Sequence, residues 1–162
     1  MNKLYTTIII ILALSTTISV GLLLTSTSAP GIPKSAAQTT ILLPNQNEAL
    51  VNTSRTDNSL TPLISSTNLR QSACNKAQDI VDRNYWSHNE PDGTTPWHFI
   101  TEAGYSYTKA GENLAKDFTS PEDTVKGWLN SPTHKANIID NFTEQGICTV
   151  KNITVQHLGR KE

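Results

Sequence analysis

Three short clusters decide how this chain is read. They are Tyr85-Trp86-Ser87-His88-Asn89-Glu90-Pro91-Asp92-Gly93, then Ala110-Gly111-Glu112-Asn113-Leu114-Ala115, then Trp128-Leu129-Asn130-Ser131-Pro132-Thr133-His134-Lys135-Ala136-Asn137-Ile138. The stretch they span, residues 85–139, holds His88, His98 and His134, and Glu112 lies there among small and apolar residues. Much of the stretch is helix and turn punctuation. Pro91-Asp92-Gly93 is a turn in which Pro fixes φ and Gly tolerates a positive one. Thr95 with Pro96, Ser120 with Pro121 and Ser131 with Pro132 are helix starts, each a capping hydroxyl before a first-position proline. Glu122 and Asp123 favour the positive end of the helix dipole.

Outward from these clusters the elements are legible. Leu69, Ala73, Ala77 and Ile80 fall on one apolar stripe, which predicts a helix near 69–84 with Cys74 turned inward. Further helices are expected near 96–103, 121–129 and 132–139, with Gly104 closing the first of these. A short strand is expected around 110–115. The β-branched runs at 146–150 and 153–158, separated by Lys151-Asn152, read as an antiparallel hairpin. Glu48 to Ile64 reads as a short helix and a loop, and the domain is placed at 48–159.

The N-terminal part differs in kind. Residues 8–24 are uncharged and apolar, about 25 Å of helix, at the short end of what spans a bilayer. This predicts an N-terminal hydrophobic helix at 1–24, either a cleaved signal peptide or a retained membrane anchor, with the anchor preferred because Pro30 follows Ser28-Ala29. Residues 25–47 are rich in Ser, Thr, Ala and Pro and read as a flexible linker. Either fate puts the domain on the extracellular side of the membrane, anchored there or secreted. The first 46 residues contain no acid and only Lys3 and Lys34, so the rest carries a net charge of −3. No block of like charge suggests nucleic acid as a partner.

Cys74 and Cys148 lie too far apart for a metal knuckle or a CxxC redox pair. In an exported domain a Cys74–Cys148 disulfide is the natural expectation; two buried free thiols are the alternative. His88, Glu112 and His134 come from three different elements. Two imidazoles and a carboxylate suit Zn²⁺ or another divalent metal with one position open to water, with His88 and His134 as the nitrogen ligands. They equally suit an acid–base set. Each also has a plain structural use: His88 after a helix end, Glu112 satisfying loop amides, His134 within a cap. His157, on the last strand, reads as edge packing, and Trp86, Trp97 and Trp128 read as core. Ser87 and Ser131 lie near histidines, but no GxSxG elbow supports a serine hydrolase.

Taken in order and spacing, the three clusters resemble the CAP superfamily of cysteine-rich secretory, antigen 5 and pathogenesis-related 1 proteins, in its bacterial SCP-domain form. The resemblance covers roughly 48–159. It implies an α+β fold, a three-layer α-β-α sandwich with a small antiparallel sheet. It implies a central cavity that includes His88, Glu112 and, from the bacterial Ser-Pro-x-His segment, His134. Lipid, peptide or protein ligands outside the cell are the binding partners it suggests. Metal-assisted hydrolysis of peptide or cell-wall material is the alternative. Two features depart from the animal and plant pattern. Ile153-Thr154-Val155-Gln156 lacks the late-strand histidine, and Ser131 stands where a second glutamate is expected.

Overall fold

In the computed structural model, residues 45–161 are described; the N-terminal hydrophobic segment and nearly all of the linker lie outside them. The elements run α1 (Gln46–Asp57), β1 (Ile64–Ser65), α2 (Thr67–Asp82), α3 (Trp97–Glu102), β2 (Lys109–Lys116), α4 (Pro121–Asn130), α5 (Pro132–Ile139), β3 (Glu144–Val150) and β4 (Ile153–Arg160). The strand order is β1-β3-β4-β2. β4 pairs antiparallel with both β2 and β3, while β1 runs parallel to β3, so the sheet is mixed at one edge rather than wholly antiparallel.

Both faces of the sheet are covered, which gives the three layers. The apolar stripe of α2 does what its spacing predicts: Ala73, Ala77 and Ile80 pack on Leu114, Ile153 and Val155. Small alanines let this helix lie close to the strands. On the opposite face Val51 of α1, Val125 and Trp128 of α4 and Ile138 of α5 close over Ala115, Ile147 and Leu158. A third cluster of Leu69, Ile100 and Tyr105 seats α3 against the start of α2. Cys74 and Cys148 are joined, with Cα atoms 5.0 Å apart, so the disulfide ties α2 to β3 across the layer boundary.

Local signals largely behave as expected. Ser120 accepts from the Asp123 amide at 3.1 Å and Pro121 opens α4. Gly93 and Gly104 have φ of +90° and +75°, the left-handed values their turns require. Two starts differ. Pro96 itself caps α3, without a side-chain bond from Thr95, and Ser131 opens α5 without one as well. At the start of α1 the Asn45 side chain and Glu48 form a reciprocal capping box.

The short strand β1 escapes a periodicity argument because only two residues pair. Beside it, the Asn52 amide accepts from the Leu63 N–H at 2.8 Å and donates to the Leu63 carbonyl at 2.9 Å. This imitates a neighbouring strand and covers an otherwise open sheet edge.

Candidate functional site

The site is built where β2, β4, α2 and the loop after α2 meet. The register of β2 and β4 sets Glu112 directly opposite His157, and directly opposed residues share a face of the sheet. His157 Nε2 lies 3.0 Å from one carboxylate oxygen of Glu112, and His88 Nδ1 lies 2.6 Å from the other. On the far side of His157, Nδ1 is 2.5 Å from the Ser72 hydroxyl of α2. A continuous line of hydrogen bonds therefore runs from Ser72 through His157 and Glu112 to His88.

Exposure changes sharply along that line. The side chains of His157 and Glu112 are 0% and 1% exposed, whereas that of His88 is 56% exposed. A buried carboxylate needs its oxygens filled, and here both are filled by imidazoles. Glu112 fixes Nδ1 of His88 and leaves Nε2 as the ring nitrogen turned away from the bond. The same logic orders the buried end. With Nε2 of His157 donating to Glu112, the Ser72 hydroxyl can donate to Nδ1 of a neutral ring.

Charge follows geometry. Burial alone would raise the Glu112 carboxyl, but bonds from His157 and His88 and the nearby positive charge of Lys76 outweigh it and hold the group below its ordinary value. The hydrogen bond and charge of Glu112 raise His88 above an ordinary histidine, against a smaller lowering from burial and from Lys76. His134 moves the other way, lowered by burial and by repulsion from His88.

These directions fix a pH window. The raised His88 contributes stability fully below its unfolded value of 6.5 and loses it as pH rises through the higher folded value. The depressed Glu112 contributes above its unfolded value of 4.5 and loses it as pH falls through the lower folded value. Because His88 is more than half exposed, its share is under about 1 kcal/mol. Replacing Glu112 by Gln should abolish this share and flatten the loss of stability that otherwise sets in as pH rises above 6.5, as read by urea unfolding.

His134, at the start of α5, is tied to β2 through its backbone, and its ring feels the charge of His88. Its backbone carbonyl accepts from Asn113 at 3.2 Å, and Asn137, one turn later, donates to the Glu112 carbonyl at 3.0 Å. The start of α5 is thereby fastened to the strand that carries Glu112. On the sheet face opposite His157, side-chain amides form a directed chain. Asn137 donates to Asn113, Asn113 to Gln156, Gln156 to Gln145, and Gln145 to the Glu48 carbonyl, at 2.9, 2.9, 3.0 and 3.1 Å. Glu112 thus sits on a strand whose neighbouring residue is held by a fully satisfied polar network.

Two sequence expectations need correction. His157 is not edge packing: β4 lies inside the sheet, and the ring is wholly buried against Glu112. A late-strand histidine is therefore present, four residues beyond Ile153 and hence on the same face of β4. Trp86 is not core either; it is 48% exposed, two residues before His88, whereas Trp128 is buried as expected. Ser72 and Lys76 were missed although a signal existed. Ser72, Lys76, Asp79 and Arg83 follow helical spacing along α2 beside its apolar stripe.

As bonded, Glu112 and Nδ1 of His88 are not free to take a metal ion. Both oxygens of Glu112 and one nitrogen of His88 are spent on each other and on His157. The described residues contain no group of three or more His, Cys, Asp or Glu side chains that could hold a metal ion.

Comparison with known proteins agrees with this architecture. Residues 48–154 match the CAP, or cysteine-rich secretory protein, family, and the chain belongs to it. It is 40% identical over 104 residues to the uncharacterised protein YkwD of Bacillus subtilis, a match that takes in 64% of this chain and 40% of that protein. Among solved structures it is similar to an extracellular SCP-domain protein from Bacillus anthracis, at 28% identity and a TM-score of 0.69, covering 72% of this chain and 39% of that one. It is also similar to an outer surface protein of Borrelia burgdorferi, at 25% identity and a TM-score of 0.65, covering 71% and 90% of the two chains. The chain thus spans well under half the length of YkwD.

Proposed function

We propose that this is an exported ligand-binding module whose contact surface is centred on the outward nitrogen of His88, with Trp86 and His134 beside it. One observation carries the proposal. The chain buries a carboxylate with two imidazoles, yet leaves the second imidazole more than half exposed at the surface. Burying charge is costly, and a core needs no such line of groups to fold. An exposed tryptophan two residues before an oriented imidazole offers apolar area and a polar handle from one loop, the combination found at contact hot spots. The extracellular or surface setting of the solved neighbours supports export. So does the disulfide, since disulfides persist in oxidising compartments. Anchoring through residues 1–24 belongs to the same proposal, with the ligand an extracellular lipid, peptide or protein.

The alternative, a metal-assisted hydrolase acting on peptide or cell-wall material, is favoured by the 2.6 Å bond between His88 and Glu112, the arrangement of a base and the group that orients it. Its weakness is that imidazoles already take both oxygens of Glu112.

Cell-wall fragments, anionic lipid vesicles and peptides can be titrated against the full-length protein and its His88→Ala variant. Binding at this site predicts an affinity at least about tenfold lower in the variant. Equal affinity in the two would place the ligand elsewhere. Turnover of a probe that is lost in His88→Ala would instead support the hydrolase.

A further inference from the structure

Lys76 has no solvent exposure, although it lies in the middle of a helix whose other buried positions are Leu69, Ser72, Ala73, Ala77 and Ile80. A buried ammonium is tolerated only when its donors are used. Here Nζ donates to the Tyr85 hydroxyl at 2.8 Å and to the backbone carbonyl of His88 at 2.7 Å. It also sits 4.9 Å from the centre of the Tyr85 ring and 5.4 Å from that of Phe99. The Tyr85 hydroxyl in turn donates to the Asp79 carboxylate at 2.6 Å.

These bonds fall where the loop after α2 otherwise has least support. The Tyr85 amide bonds back to Ile80, and the next backbone bond of the loop joins Glu90 to Thr94. Between those points the Lys76 ammonium grips the chain at the residue whose side chain reaches Glu112. Farther along, Arg83 bonds Glu90, and His98 Nε2 lies 3.0 Å from the same carboxylate. The loop is clasped at both ends, and Lys76 is the clasp at the site.

We infer that Lys76 is a positioning residue for the candidate site: by holding the His88 carbonyl it seats Nδ1 of His88 on Glu112 and turns Nε2 outward. This rests on the proposal that His88 is the contact group. It adds that the contact group is set by a buried lysine one helical turn from Ser72. Ser72 and Lys76, four residues apart on α2, then support the same carboxylate–imidazole pair from beneath, one through His157 and one through the loop.

The test uses the full-length protein without ligand, so its outcome is independent of whether any ligand binds. Lys76→Met keeps the side chain's length and removes its charge and donors. Two roles predict opposite results for the His88 imidazole titration followed by NMR. If Lys76 positions the ring, its loss frees His88 from Glu112 and the titration midpoint falls. If Lys76 is only a nearby positive charge, its loss raises the midpoint. A rise or no change overturns the inference. Should the variant fail to fold, the wild type supplies a second measurement, the scalar coupling across the hydrogen bond from Lys76 Nζ to the His88 carbonyl carbon. Observing that coupling supports the clasp, and its absence in a well-resolved ammonium signal overturns it. The binding proposal fails separately, if His88→Ala binds ligand as the wild type does while the Lys76 results stand.

Discussion

Replacing Glu48 by Ala is expected to lower the stability of the domain by about 3–5 kcal/mol. Glu48 is a fully buried acid in the first turn of α1. Its carboxylate receives Arg70 Nη2 at 2.6 Å, the Ser65 hydroxyl at 2.7 Å, the Ile147 amide at 3.0 Å and the Asn45 amide at 3.1 Å. One side chain therefore joins α1, β1, α2 and β3. Truncation leaves the Ile147 amide and the Ser65 hydroxyl without their acceptor in places water reaches poorly. Arg70, at 25% exposure, keeps partial hydration, which holds the loss to that range. A domain of this size has roughly 5–15 kcal/mol in total, so the melting temperature should fall by roughly 15–30 °C in calorimetry. A loss below about 1 kcal/mol would show that these bonds are not the junction described.

Gly146→Ala should be at least as damaging. A Cβ at this position would overlap the backbone of Leu69 and Arg70, where α2 crosses β3. Backbone cannot rotate aside as a side chain can, so α2 must lift from the sheet. Overpacking of this kind costs about 3 kcal/mol or more. It would also disturb two neighbours on the same elements, the disulfide at Cys148 and the Ser72–His157 contact. Gly93→Ala is the control. Its Cβ meets open space, and only the positive φ of +90° opposes it, which costs about 1–2 kcal/mol. Urea unfolding of the two variants should separate them clearly. Similar values would mean that the close crossing of α2 and β3 is not a tight one.

The residues that announce the fold do so through local rules. The alanine-rich stripe of α2, the Ser-Pro start of α4, and the β-branched runs of β3 and β4 all form as their spacing predicts. Pairing is another matter. Whether β4 is an edge or an interior strand depends on where β2 returns, more than 30 residues earlier in the chain. His157 therefore looks peripheral in sequence and is buried in the structure. Glu112 and His88 are legible from their clusters, but their direct bond is not, because it depends on how the loop after α2 folds back. Lys76 is hidden by habit: lysine on a helix usually faces water. The two-residue strand β1 carries too little pattern for any periodicity to find.

At the centre of the site is the ordered line Ser72–His157–Glu112–His88, with the outer nitrogen of His88 turned away from it. Long-range ¹H–¹⁵N NMR of the histidine rings tests it most directly. The prediction is that His88 carries its proton on Nδ1 once it is neutral, that neutral His157 carries its proton on Nε2, and that Glu112→Gln lowers the His88 titration midpoint. A neutral His88 protonated on Nε2, with a midpoint indifferent to Glu112→Gln, would contradict it.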